Sequence, residues 1–292
     1  MTNGKKDIWD DFITLNTPPV NTHKLYETYK TFKERVESLP KSDLLKLGWI
    51  SDKNNLSSMT DFFKDIYYES NNVLFRKSST SDAALLSIWL SKVKSIAEVN
   101  VMSGSMPSFN GLSKQQLKDI ARLSIDPNVI NSLPSIMERY GIVLVYERSL
   151  PATKVDGVVF RLSSGHPVIG LSFRYSRIDY FWFTLLHELA HVCLHIDELR
   201  SPILDDLDVE TQDKVEIAAN RLAKGSFVDR SEWRNCEPKY NKSDEAVEKF
   251  AAKIGIHKGV IAGLLRKELG DYSIYSKMVN EINIRELIFG DG

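Results

Sequence analysis

The longest apolar stretch of this chain, YFWFTLLHELAHVCLH at residues 180–195, contains three histidines and a glutamate. Burying an imidazole or a carboxylate among apolar side chains costs several kcal/mol unless something pairs with it. His187 and His191 are four residues apart, so on a helix both can point a ring nitrogen at one ion. The stretch therefore predicts a buried helix, from about residue 177 to 195, that binds a metal ion.

Glu188 lies about 100° around such a helix from His187, because successive residues are separated by that angle. It therefore flanks the ion instead of binding it, and from there its carboxylate can take a proton from water. The spacing His-Glu-x-x-His is the arrangement found in zinc proteases. The motif predicts a Zn²⁺ site in which Glu188 is the general base, while Cys193 faces away into the core.

A catalytic zinc site needs a third protein ligand and a position left open for water. Glu216 and Asn220 are four residues apart in the predicted helix TQDKVEIAANRLAKG, which should end at Gly225, so one can ligate while the other hydrogen-bonds a ligand histidine. We predict Glu216 as the ligand. Glu198 and Glu210 remain rivals, although Glu198 lies in the turn after the first helix and Glu210 follows an acidic run.

The other histidines are weaker candidates as metal ligands. His195 lies one helical turn beyond His191, too far along to complete the same tetrahedron, so we expect it to support a ligand or contact substrate, with plain packing as the alternative. His166 and His257 are lone histidines in predicted turns and are not expected to touch the metal.

The order of predicted elements indicates three parts. Residues 1–103 have helical apolar spacing and predict an N-terminal helical domain, and residues 101–113 are rich in Ser, Gly and Pro, as is typical of a linker. Residues 104–236 should form the metal-binding domain, followed by a helical extension at 237–292.

Three short runs precede the HELAH segment and predict a small sheet: GIVLVYE, DGVVFRL and PVIGLSFRY. Strands followed by helices favour an α+β class, here mostly helical with a small sheet packed on the HExxH helix. We expect the edge of PVIGLSFRY to pair with an extended peptide substrate.

Composition argues against several classes of protein. The 292 residues carry 38 basic and 39 acidic side chains, a net charge of -1, which gives no electrostatic footprint for nucleic acid. The two cysteines are too sparse for a disulfide framework, and no signal-like or membrane-spanning apolar run is found. We therefore expect a cytoplasmic protein that contacts neither membrane nor nucleic acid directly.

One segment could mimic a DNA-binding helix-turn-helix. In VEKFAAKIGIHKGVIAGLLRKELG, two predicted helices are separated by GIH, and the second offers Lys258, Arg266 and Lys267. Apolar residues dominate that second helix, which favours a helical hairpin packed on the metal-binding domain.

The stretches VIGLSFRYSRIDYFWFTLLHELAH and VEIAANRLAKGSFVDRSEW resemble the ImmA/IrrE family of metallopeptidases. The similarity covers roughly 110 to 235 and continues more weakly in LLKLGWI and FRKS upstream and in AAKIGIHKGVIAGLL downstream. The chain resembles the long form of the family, in which such a part follows a helix-turn-helix of HigA-antitoxin type, but without that helix-turn-helix. Many members carry an acidic residue where this chain has Ala218, whereas Glu216 is retained.

The resemblance implies zinc and cleavage of a protein partner, commonly a DNA-binding repressor or antitoxin. The competing hypothesis is a regulatory or interaction module of a transcription-regulator or toxin-antitoxin system, with a metal site and no proteolysis. Glu188 favours the enzyme, because a purely structural metal site has no use for a general base.

Overall fold

A computed structural model describes residue 45 and residues 81–104, 106–149, 154–206 and 213–290. By its internal contacts the chain divides into Met1–Tyr68 and Glu69–Gly292, and the description below concerns the second unit. The helices predicted before residue 70 lie outside the described residues, apart from Leu45, which is helical. None of the described helices combines the length and apolar character needed to cross a bilayer.

The described part of the second unit contains helices and four short strands. The helices are α1 Ser81–Met102, α2 Lys114–Arg122, α3 Leu133–Glu138, α4 Ile178–Leu194, α5 Lys214–Phe227, α6 Arg230–Arg234, α7 Asp244–Ile254, α8 Lys258–Leu269, α9 Ser276–Val279 and α10 Ile284–Phe289. The strands are β1 Val143–Tyr146, β2 Gly157–Arg161, β3 Pro167–Leu171 and β4 Ile203–Asp205. The fold is α+β, mostly helical with one small sheet, as the sequence predicts.

The strands form one sheet in the order β1-β3-β2-β4. β3 pairs with β1 in parallel and with β2 antiparallel, and β4 pairs antiparallel with the other side of β2. The expectation that PVIGLSFRY offers an edge to a substrate is wrong, because β3 has a neighbour on each side and its backbone groups are already used. β4 was not predicted from the sequence.

Helix α4, which carries HELAH, is the central element of the core. It packs against α5, α8, β2 and β3. Most of its apolar side chains are buried, and several of them are fully buried, including Trp182, Leu185, Leu186 and Leu189. Since the helix is surrounded on several sides, its polar residues must face other polar groups of the protein.

The ends of the helices follow local signals. The side chain of Asp213 accepts a hydrogen bond from the Val215 N–H and starts α5. That helix continues past Gly225, the predicted end, to Phe227, because the Phe227 side chain is buried in the core.

The hairpin α7–α8 turns at Gly255, whose φ of 72° lies in the left-handed region that glycine adopts readily. The apolar residues of α8 that the sequence singled out, Val260, Ile261, Leu264 and Leu265, are buried, and α8 packs on α4.

Helix α1 contacts the sheet, although it lies before the predicted boundary at residue 103. Its Trp89 Nε1 donates a hydrogen bond to the Glu147 carbonyl at 3.2 Å, and Val93 is fully buried. A Cβ atom at Gly170 would lie 2.8 Å from Val93 Cγ1 and 2.9 Å from Val158 Cγ1. Gly170 therefore allows the helix to approach β3 closely. The predicted linker has no helix or strand from residue 106 to 113, and the domain boundaries themselves stay predictions.

We predict that Gly170→Ala destabilises the protein by about 1 to 3 kcal/mol, because the added methyl overpacks the contact between α1 and the sheet. In a Val93→Ala background the cost should be smaller, since both Val93 methyls are gone, although the Val158 methyl remains close to the added Cβ atom. Urea unfolding of the four proteins in this cycle measures both values.

Gly225→Ala is the matched control, because nothing lies within 4 Å of a Cβ atom at this helical position. It should leave stability unchanged or raise it. An equal cost of Gly170→Ala with and without Val93 would show that α1 does not pack on the sheet in this way.

Candidate metal centre

Helix α4 supplies two histidines and a glutamate to one buried point. His187, Glu188 and His191 are each 0% exposed. The Nε2 atoms of His187 and His191 lie 3.0 Å apart, as the four-residue spacing on one helix face requires. Two imidazole nitrogens at this separation can both reach a single ion.

Helix α5 adds Glu216 and Asn220 from the neighbouring side. Glu216 Oε2 lies 3.2 Å from His187 Nε2, and Glu216 Oε1 lies 3.5 Å from His191 Nε2. Asn220 Oδ1 lies 3.1 Å from Nδ1 of His187, so this ring nitrogen donates its proton to Asn220. The hydrogen bond leaves Nε2 of His187 directed at the cluster with its lone pair available.

Strand β4 contributes a residue that the sequence analysis missed. Asp205 Oδ2 lies 3.2 Å from His187 Nε2 and 4.0 Å from His191 Nε2. Asp205 is the last residue of a strand of only three residues, paired with Gly157 of β2. The available signal was the pair of β-prone residues before it in SPILDD, but such a short run is common in loops.

The four donor groups fit a metal ion. One ligand atom from each of His187, His191, Asp205 and Glu216 lies within 4.8 Å of the others. A tetrahedral zinc site with ligands at about 2.0 to 2.2 Å places its ligand atoms about 3.3 to 3.6 Å apart, and the separations given above, 3.0 to 4.0 Å, straddle that value.

A second observation supports the fit. Asp205 Oδ2 is buried, meets the geometry of a hydrogen bond with no described residue, and has its ion-pair contacts with the ring nitrogens of His187 and His191, although burial is costly for a carboxylate without a well-aligned donor. A cation at the centre of the cluster would satisfy this oxygen. The residues present thus suit Zn²⁺ both by geometry and by their nitrogen and oxygen donors.

The charges of the cluster perturb its titration. Burial lowers the pKa of His187, but Asp205 and Glu216 outweigh it and raise that pKa to about 9. Burial raises the pKa of Glu216, but the hydrogen bonds from His187 and His191 outweigh it and hold this pKa well below its ordinary value. A protonated imidazole thus balances the carboxylates when no metal ion is bound.

Glu188 lies beside the cluster and has a different environment. Both of its carboxylate oxygens are buried and lack a hydrogen-bond partner among the described residues. Burial raises its pKa well above the ordinary value, and the negative charges of Asp205 and Glu216 add to the effect. A Cβ atom at Gly157 of β2 would collide with Glu188 Oε1, so glycine at this position makes room for the carboxylate.

His195 lies at the end of α4 and contacts His191. Its Nδ1 is 3.2 Å from Nδ1 of His191, and burial together with the neighbouring His191 lowers the pKa of His195. A neutral His195 can therefore accept the proton on His191 Nδ1, which directs Nε2 of His191 at the cluster.

The remaining candidates lie elsewhere. Glu198 is exposed and is not part of the donor group, whereas Glu210 lies outside the described residues. His166 bonds to Ser164 and Pro107, and His257 caps α8. Cys193 and Cys236 are free, and Cys193 packs partly against the core.

Comparison with known protein families matches residues 137–264 to the IrrE N-terminal-like domain, a family of metallopeptidase type. This segment contains α4, β4 and α5 and therefore all the donors of the cluster. Comparison with curated proteins finds no match.

We predict that zinc binding displaces a proton from His187, because the ring must be neutral to ligate and its pKa is about 9 in the metal-free protein. His187 should contribute close to one proton per ion at pH 7, and this contribution should fall towards zero as the pH rises above 9. Calorimetric titration in buffers of different ionisation enthalpy measures it.

The titration is best done on Glu188→Gln, which removes the neighbouring carboxyl as a second source of protons. Release of clearly less than one proton per ion at pH 7 would contradict the assignment of His187.

We also predict that Asn220→Ala weakens zinc affinity by about 10- to 100-fold, because His187 loses the acceptor that orients its ring. Asn220→Asp retains an acceptor and should bind zinc more tightly than Asn220→Ala. Competition with a fluorescent chelator measures both affinities. The exposed neighbour Arg221 provides the control variant, Arg221→Ala, which should match the parent protein. Unchanged affinity in Asn220→Ala would remove this residue from the site.

Proposed function

Because the chain carries an IrrE N-terminal-like domain over residues 137–264, we propose that it is a zinc-dependent endopeptidase that cleaves a protein partner. The partner we propose is a separate DNA-binding repressor or antitoxin in the cytoplasm. The observation that carries the proposal is the position of Glu188, an uncoordinated carboxylate buried directly beside a cluster of metal donors.

Each residue has a defined part in the proposed reaction. His187, His191 and Glu216 hold the ion, and Asn220 and His195 fix the tautomers of the two histidines. A bound Zn²⁺ supplies Lewis acidity and lowers the pKa of water to about 7. Glu188 accepts a proton from the attacking water and delivers it to the leaving amine. Burial raises the pKa of Glu188, which favours the protonated form that donates in the second step.

The choice of partner rests on charge and resemblance. A net charge of -1 offers little affinity for the phosphate backbone, where basic contacts supply most non-specific binding. The chain resembles proteins that carry a helix-turn-helix, so a regulator with this module is the partner we propose. The hairpin α7–α8 buries its apolar face in the core, and we propose no contact between this hairpin and DNA.

The alternative function is a regulatory module that holds a metal without cleaving anything. One observation favours it: with Asp205, the cluster offers four protein donors, the number found in structural zinc sites. The two functions differ in whether Glu188 matters, because a structural site would not need it.

We predict that Glu188→Gln retains zinc but loses hydrolysis, since the amide is similar in size and cannot accept a proton. General-base loss typically costs a factor of about 10² to 10⁴ in rate. The measurement combines metal analysis with the length of a co-purified helix-turn-helix protein, which should be shortened by the parent chain and remain full length with Glu188→Gln.

Glu198→Gln is the matched control, because this carboxylate is exposed and lies outside the donor group. Cleavage that survives in Glu188→Gln would refute the mechanism. A zinc-loaded parent chain that binds its regulator and leaves it intact would favour the regulatory module.

A further inference from the structure

Strand β4 places a carboxylate where a catalytic zinc site should be open. Three protein ligands leave one position for water and substrate. His187, His191 and Glu216 already provide three donors, and Asp205 Oδ2 lies within 4.0 Å of both histidine Nε2 atoms as a fourth. This oxygen faces the ring nitrogens of His187 and His191, which are donors of the same cluster, so the carboxylate is directed at the position of the ion.

The same strand covers the edge of β2. Ile203, Leu204 and Asp205 pair antiparallel with Val159, Val158 and Gly157, respectively. Without β4, the backbone groups on this side of β2 would be available to an extended peptide, which proteins commonly bind by adding a strand to a sheet edge. Gly157 is in direct proximity to Glu188, so this edge is the one next to the proposed general base.

The end of β4 is fastened by an arginine. Arg174 Nη1 lies 2.9 Å from Asp206 Oδ1 and 3.6 Å from Asp156 Oδ2. The Asp156 N–H also donates to the Asp205 carbonyl at 2.8 Å. The attachment is nevertheless limited, because the strand has only three residues and Ile203 and Leu204 are half-buried.

From these contacts we infer that residues 203–206, here called the latch, hold the centre in a closed state. The Asp205 carboxylate takes the fourth coordination position, and the backbone of β4 takes the place of substrate on β2. The latch is displaced by an extended segment of the protein partner, which pairs with β2 in its stead. This inference rests on the proposed function, and it describes how the proposed peptidase activity is inhibited.

The first test measures access to the metal without measuring activity. In the cobalt-substituted protein, acetohydroxamate binding is followed by visible absorption. Asp205→Ala should bind acetohydroxamate at least tenfold more tightly than the parent chain, because the fourth position is free. Glu198→Ala, a nearby exposed carboxylate, should match the parent chain. Equal binding by Asp205→Ala and the parent chain would overturn the latch, as would loss of the metal from Asp205→Ala.

Arg174→Gln gives a second route that leaves all four donors in place. This variant should also bind acetohydroxamate more tightly, because the salt bridge to Asp206 is lost. It tests the latch even if Asp205→Ala fails to fold. Unchanged binding in a folded Arg174→Gln protein would show that the arginine does not hold the latch, and would overturn that part of the inference.

The second test uses labelled casein as an unfolded substrate. The zinc-loaded parent chain should cleave it slowly, and Asp205→Ala at least tenfold faster. If acetohydroxamate binding rises and no variant cleaves casein or the partner regulator, the latch stands and the peptidase function fails. If the parent chain cleaves casein as fast as Asp205→Ala, the peptidase function stands and the latch fails.

Discussion

The concentration of charge around His187 and His191 is the constraint on which the rest of the structure depends. Two carboxylates, Asp205 and Glu216, lie within hydrogen-bonding distance of a fully buried imidazole. Like charges in a poorly solvated interior repel strongly, so the arrangement needs positive charge at its centre. A metal ion supplies it, and in the metal-free protein a raised pKa of His187 supplies part of it.

The sequence predicted those parts of the site that depend on local periodicity. His187, Glu188 and His191 share one helix, and Glu216 and Asn220 share the next, so the four-residue spacings placed them correctly relative to each other. Asp205 escaped prediction because its position depends on β4 pairing with β2, a contact between segments more than forty residues apart. The order of strands is equally invisible to periodicity, and for this reason β3 was mistaken for an edge.

Two glycines shape the site because they have no side chain. The strand next to the HELAH helix begins with Gly157, where any Cβ atom would occupy the space of the Glu188 carboxylate. A further glycine, Gly170, admits helix α1 against the same sheet. Such close approaches cannot be read from a single sequence, because a glycine in a strand is equally compatible with a bulge or a bend.

Helix α10 forms hydrogen bonds with a strained stretch of backbone next to Arg174, the residue that contacts the latch. Phe173 has a φ of 56°, an uncommon conformation for a bulky residue. Arg285 of α10 donates hydrogen bonds to the carbonyls of Phe173 and Arg174, at 2.7 Å in the first case, and these contacts offset the strain. They orient the backbone from which the Arg174 side chain reaches Asp206. The C-terminal segment therefore contacts the backbone that carries Arg174, although it contributes no donor to the metal centre.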